Sequence, residues 1–145
     1  MVFEDYNLAI WPLQVIAHIL GLAAVYFAIR PRKNSNQMIA AVLAFFWLWT
    51  GFSFVLLRFG SLYPPMYAFG VVYTLQGILF AASVSKPRLS FRFQLNAHNL
   101  TGLVLIAYAI LGYPVVGAFL GHNYPQSMSF GLTPCPVTAF TFGMY

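Results

Sequence analysis

A small number of side chains in this sequence could do chemistry, and they form two sets. The first set is His18, Trp47, Gln76 and Tyr108, one in each of four long apolar stretches. Polar groups in hydrocarbon are costly unless they are paired, and a membrane histidine can also ligate a metal ion or a haem. We expect this set to point into a helix bundle as one layer near the membrane midplane, where it bonds between helices or holds a ligand.

The second set lies near the end of the sequence and consists of His122, Met128 and Cys135. Imidazole, thioether and thiolate are soft ligands that suit copper(I) and similar ions, although their spacing here is irregular. Thr133 and Pro134 are typical of a helix start, with Thr133 as the N-cap and Pro134 as the first helical residue. Such a helix places Cys135 in its first turn, at the outer mouth of the membrane, as either a ligand or a structural residue.

The groups that most enzymes use are absent after the first few residues. Both acidic residues, Glu4 and Asp5, precede the first apolar stretch, so no later carboxylate can serve in acid–base catalysis or in a proton relay. The sequence also has no glycine-rich phosphate loop, no His-Glu-x-x-His pattern and no nucleophile-elbow serine. Its single cysteine excludes an internal disulfide. We expect no enzymatic activity, and the sequence leaves any cofactor or metal ion open.

Four uncharged apolar stretches must position these side chains. Each has about the 20 residues that a helix needs to cross a hydrocarbon core of about 30 Å. The loops between them are short, so neighbouring helices should be antiparallel. The sequence therefore predicts an all-α integral membrane protein, a single transmembrane domain over residues 1–145. Its four full spans are residues 8–29, 38–57, 66–84 and 100–120.

The part of the sequence after residue 120 is expected to begin a fifth span. Residues 121–136 are rich in glycine, proline and serine, which favours an irregular segment outside the membrane. The apolar residues that follow, to Tyr145, are too few to cross a bilayer as a helix. They are either the start of a fifth span, from about residue 134, or a segment that dips into the membrane and returns. The first alternative is preferred, because re-entrant segments are rarer.

The basic residues predict the orientation of the spans. Six of the seven lie between spans one and two or between spans three and four, and only Arg58 lies on the opposite side. The positive-inside rule then places both basic loops in the cytoplasm and the N-terminus outside. The net charge of +5 is explained by this pattern, so no nucleic-acid partner is expected. The six residues are Arg30, Arg32, Lys33, Lys86, Arg88 and Arg92.

Two segments of the sequence carry a family resemblance. One is Tyr6-Asn-Leu-Ala-Ile-Trp-Pro-Leu-Gln, and the other is Phe130-Gly-Leu-Thr-Pro-Cys-Pro-Val-Thr-Ala-Phe-Thr-Phe-Gly, which follows Gly121-His-Asn-Tyr-Pro. Together they resemble the bacterial multi-pass membrane family catalogued as domain of unknown function 6064. The resemblance covers the whole chain and implies a multi-pass protein of the bacterial inner membrane. It implies no activity and no site residues.

These features favour a non-enzymatic subunit or accessory protein of a larger membrane complex. Because the loops are short, partners would meet the sides of the bundle, and they would be other membrane subunits or further copies of the chain as well as lipid. The alternative is a small oligomeric transporter or channel for a metal ion or a small solute. A third hypothesis is a pigment or haem carrier with His18 as the axial ligand. The sequence does not identify the substrate, the partner subunits or the oligomeric state.

Overall fold

The computed structural model describes residues 2–86, 88–91 and 97–145. All regular structure in these ranges is helical, which confirms the all-α prediction. Three of the described helices are long and apolar enough to cross a membrane, and they coincide with the second, third and fourth predicted spans. Arg92, one of the six basic residues, lies outside the described residues. The three helices are Ser35–Phe59, Met66–Ser85 and Asn99–Phe119.

The predicted first span, residues 8–29, is interrupted near its start, between two helices. Helix α1 covers Val2–Ala9 and helix α2 covers Leu13–Ile29. Pro12 lies between them, where its ring removes a backbone donor and disfavours helical geometry at the preceding residue. The Trp11–Pro12 peptide bond is cis. Because of this break, α2 has 17 residues, fewer than the roughly 20 of a full span.

The helices of the second and third predicted spans form a helical hairpin. Helix α3, Ser35–Trp49, continues directly into a π-helical stretch, Thr50–Phe59, in which the chain turns more widely than in an α-helix. The backbone N–H of Gly60 donates to the carbonyl of Val55 at 2.7 Å, five residues earlier, as this wider turn requires. After two prolines, helix α4 follows as Met66–Ser85.

The fourth predicted span combines three consecutive helical stretches. Helix α5, Ala97–Ala107, leads into a π-helical stretch, Tyr108–Gly112, and then into helix α6, Tyr113–Phe119. Pro114 lies in the first turn of α6, where it has no N–H for the helical hydrogen-bond ladder. The wider turn just before it accommodates this missing donor within a continuous helix. Helix α7, Pro134–Met144, is the last element.

The chain divides into two compact units. The terminal unit combines Met1–Ile19 with Leu95–Tyr145, and the central unit is Leu20–Gln94. In the central unit, α3 and α4 pack closely because Gly77 has no side chain: a Cβ there would lie 2.8 Å from the backbone nitrogen of Leu48. In the terminal unit, α7 packs against α5 and against the stretch Tyr108–Gly112.

Candidate functional site

Asn7 is the centre of a buried polar cluster in the terminal unit. Its side-chain nitrogen Nδ2 donates to the carbonyl of Pro125 at 2.6 Å and to that of Ser127 at 2.7 Å. Its side-chain oxygen accepts from Gln14 Nε2 at 3.1 Å and from the hydroxyl of Ser129. Both donor hydrogens and both acceptor positions of the amide are therefore used. A side chain whose hydrogen-bonding positions are all used in this way holds the surrounding backbone in place.

Two further hydroxyls extend this cluster towards α7. The Tyr6 hydroxyl donates to the carbonyl of Leu132 at 2.9 Å, and the Thr133 hydroxyl donates to the carbonyl of Ser129 at 2.8 Å. A buried carbonyl without a donor costs about 1–3 kcal/mol, so these bonds stabilise a segment that has no helix of its own. We call the side chains of Tyr6, Asn7, Gln14, Ser129 and Thr133 the polar latch.

His18 lies next to the polar latch on α2. Its Nδ1 is 2.8 Å from the carbonyl oxygen of Gln14, which can only accept, so Nδ1 must carry the hydrogen. When the ring is neutral, Nε2 then presents its lone pair. The half-buried ring packs on Phe130 with a centroid distance of 5.2 Å. Metal-ligating histidines are often held by a hydrogen bond of this kind from their other nitrogen, so His18 could accept a hydrogen bond or ligate a metal through Nε2.

The other three residues of the predicted midplane layer have different surroundings. Trp47 stacks on Tyr73 at a centroid distance of 4.6 Å, and Gln76 is half-buried on α4. Tyr108 was expected to point into the bundle, but it is 43% exposed and its ring lies 4.9 Å from that of Tyr113. Trp47 and Gln76 belong to the central unit, whereas Tyr108 belongs to the terminal unit with His18. The single layer stays a prediction.

The predicted start of α7 is confirmed. Thr133 has extended backbone geometry, with φ of −129° and ψ of 154°, and the helix begins at Pro134. The Thr133 hydroxyl does not cap the helix, however, because it bonds to Ser129 in the polar latch. Cys135 is exposed as a free thiol in the first turn of this helix.

The other members of the second set lie in the segment before α7. His122 is exposed and Met128 is half-buried. In the described part of the chain, no three His, Cys, Asp or Glu side chains come together as a metal-binding group. A copper-type site that includes Met128 therefore stays a hypothesis.

The residues of the polar latch were not predicted as a site. Each is an ordinary polar residue, and the contacts of Tyr6 and Asn7 with residues more than a hundred positions away reveal the role of the cluster. The available signal was the resemblance itself, since its two segments contain Tyr6, Asn7, Gln14 and Thr133. The structure brings the two segments together in one unit.

The central unit has an apolar groove of about 590 Å³. Thr74 lines it with a hydroxyl that already donates its hydrogen to the carbonyl of Gly70 at 2.8 Å, so this hydrogen is not available to a ligand. The remaining wall is almost entirely aromatic and aliphatic, which suits an apolar occupant. Besides Thr74, the lining residues are Phe45, Leu48, Trp49, Phe52, Ser53 and Leu57.

Comparison with known proteins gives one match. The family model DUF6064, described as a family of unknown function, matches residues 1–145, the whole chain. The resemblance inferred from the two segments is therefore confirmed. Neither a curated protein nor a solved structure matches the chain.

Proposed function

The chain belongs to the DUF6064 family, a family of unknown function, and from its own structure we propose that it is a non-enzymatic subunit or accessory protein of a larger bacterial inner-membrane complex. The supporting observation is how little of their apolar surface two of the long helices bury. In α4 and in the helix Asn99–Phe119, only 17% of the most apolar window is buried. Lateral surfaces of this kind are where membrane subunits and lipids pack. The polar latch, with its hydrogen bonds used internally, fits a structural role.

This proposal includes one transmembrane domain of four full spans. Three helices have the length and apolar composition of a span, and α2 is the fourth, 17 residues long and uncharged. A slightly short span is accommodated at small cost by local thinning of the bilayer.

Two hydrogen bonds support the placement of the two basic loops on the same side of the membrane. Gln37 Nε2 donates to the carbonyl of Val84 at 3.1 Å, and the N–H of Phe91 donates to Asn36 Oδ1 at 3.0 Å. They join the start of α3 to the end of α4, so the basic residues before α3 and after α4 lie at one end of this helix pair. Arg58 lies at the other end. The positive-inside rule assigns the first end to the cytoplasm.

Anionic lipid is the expected partner at that end. A groove of about 340 Å³ is lined by Lys86 and Arg88 beside Leu79 and Ala82 of α4. Two cations next to an apolar wall suit the phosphate of an anionic lipid, with its acyl chains along the helix. Because lipid phosphate accounts for these two cations, we propose no nucleic-acid partner.

Photo-crosslinking in cells tests the subunit role. A crosslinking residue at Phe52, an exposed position in the apolar groove, should give one discrete adduct with another membrane protein or a second copy of the chain. The same residue at Leu62, exposed in the connection between α3 and α4, is the matched control and should not give this adduct. Adducts with lipid alone at Phe52 would contradict the proposal.

A second candidate function is favoured by the hydrogen bond that orients His18. Because Nδ1 donates to Gln14, Nε2 is the nitrogen available for the iron of a haem or the metal of a chlorophyll-type pigment. The test is the visible absorption spectrum of the purified protein. A Soret or chlorophyll band that is lost in His18→Ala and retained in His122→Ala would support this role. Purified protein without any such band would exclude it.

A further inference from the structure

Helix α7 lies beside the first part of the fourth span. The N-terminal end of α7 does not reach the level at which that span ends. A Cβ added at Gly102 would lie 2.7 Å from the carbonyl oxygen of Gly143, so the two backbones touch there. From this contact α7 runs back along α5 towards the stretch Tyr108–Gly112, with which it also packs. At about 1.5 Å per residue, Gly143 to Pro134 covers about 13 Å, and Gly102 to Phe119 covers about 25 Å. Helix α7 therefore begins about 12 Å from the level at which α6 ends.

Residues 121–133 cover this remaining distance without forming a helix. The segment is still beside α6 at Ser127, because a Cβ added at Gly117 would lie 3.2 Å from Cβ of Ser127. Residues 129–133 are then all buried. The ring of Phe130 lies 5.2 Å from that of His18 on α2 and 5.2 Å from that of Phe140 on α7. The segment thus descends from the level of α6 between two helices until α7 begins.

The polar latch provides what such a descent needs. Inside a membrane, non-helical backbone is tolerated only where protein or water satisfies its polar groups. Asn7 donates to the carbonyls of Pro125 and Ser127, and Tyr6 donates to that of Leu132. Helix α1 therefore acts as a cover whose side chains replace the missing helical hydrogen bonds.

We infer that the fifth membrane element of this protein is broken: the non-helical segment 121–133 re-enters the membrane and is buried at residues 129–133, and α7 crosses only the opposite half. Cys135 then lies near the middle of the membrane and not at its outer mouth. This inference rests on the membrane placement proposed above. It differs from both alternatives that the sequence left open, since each of them has the residues after 136 enter the membrane from its outer boundary.

Spin-label depth measurements test this arrangement. Single cysteines are placed at Leu100, Leu111, Phe119 and Phe142 in a Cys135→Ser background, and native Cys135 is the fifth site; all five positions are exposed on their helices. Each protein is labelled with a nitroxide and reconstituted in phosphatidylcholine vesicles. Collision rates with oxygen and with a water-soluble nickel chelate then give the depth of each label.

The order of the depths decides the inference. Cys135 should be as deep as Leu111→Cys, to within about one helical turn of 5 Å, and deeper than Phe142→Cys. If α7 instead enters from the outer boundary, Cys135 will be as shallow as Phe119→Cys and Phe142→Cys will be the deeper site. That reversed order overturns the inference. If Leu100→Cys, Leu111→Cys and Phe119→Cys show no difference in depth, the membrane placement itself is wrong, and the broken element is excluded with it.

Discussion

At the scale of single residues, the structure separates polar groups that are paired from one that is not. Asn7 is fully buried and uses every hydrogen-bonding position of its amide. Thr50 is equally buried, yet its hydroxyl is the one buried side-chain polar atom, among the described residues, without a hydrogen-bond partner. Asn7 and Thr50 are both polar residues near apolar sequence, so composition alone does not show which of them is hydrogen-bonded. Their substitutions should have opposite effects on stability.

Asn7→Ala should destabilise the protein. It removes the donors of two carbonyls, and since each unpaired buried group costs about 1–3 kcal/mol, we expect a loss of roughly 3 kcal/mol. Thermal unfolding in detergent, followed by tryptophan fluorescence, measures this loss as a lower midpoint. Asn123→Ala is the matched control, because Asn123 is an exposed asparagine in the segment to which Asn7 bonds. Equal midpoints for the two variants would show that the polar latch does not hold the segment.

Thr50→Val should stabilise the protein. Valine has nearly the same shape as threonine, and the change removes a buried hydroxyl that lacks a partner, for a gain of about 1 kcal/mol. Thr74→Val is the control, since the Thr74 hydroxyl already donates to the carbonyl of Gly70 at 2.8 Å. The same thermal assay should show a higher midpoint for Thr50→Val and no gain for Thr74→Val. A lower midpoint for Thr50→Val would mean that this hydroxyl has a partner in the membrane.

At the scale of helices, the sequence is a better guide to where a helix runs than to the face on which one of its side chains lies. The second, third and fourth spans follow from apolar runs of sufficient length, and the structure places helices over them. The first span was predicted as continuous because its composition is apolar, but the local geometry of Pro12 divides it. Tyr108 was expected to face the bundle, whereas its side chain is 43% exposed in the structure. Position along a helix fixes depth, whereas the face depends on how the helix is rotated against its neighbours.

Gly102→Ala tests the closest helix contact of the terminal unit. The added Cβ would lie 2.7 Å from the carbonyl oxygen of Gly143, a backbone atom that cannot move without shifting α7. Overpacking of this kind costs about 1–3 kcal/mol, and we expect a lower thermal midpoint. Ala107→Leu adds more volume on the exposed face of the same helix and should change the midpoint little. An unchanged midpoint in Gly102→Ala would show that α5 and α7 are not in backbone contact.

At the scale of the whole molecule, the polar latch depends on contacts that no local pattern contains. Four of its hydrogen bonds join Tyr6 or Asn7 to residues separated from them by 118 to 126 positions. Hydrophobic periodicity and turn signals describe neighbours along the chain, so they predict elements and not this pairing. The two segments that carry the family resemblance contain Tyr6, Asn7, Gln14 and Thr133, four of the five residues of the polar latch.

The predicted orientation of the protein in the membrane can be tested directly in cells by labelling introduced cysteines. Asn34→Cys and Ser90→Cys place a thiol at exposed positions in the two basic loops, and Ser61→Cys places one beside Arg58 at the other end of the α3–α4 pair. None of these changes alters the charge pattern, and all are made with Cys135→Ser. Because positively charged loops are retained in the cytoplasm, a membrane-impermeant thiol reagent should label only Ser61→Cys in intact cells. Both other sites should label after the membrane is permeabilised, which shows that they are exposed. Labelling of Ser90→Cys in intact cells would reverse the orientation, and with it the assignment of the basic groove at Lys86 and Arg88 to the cytoplasmic leaflet.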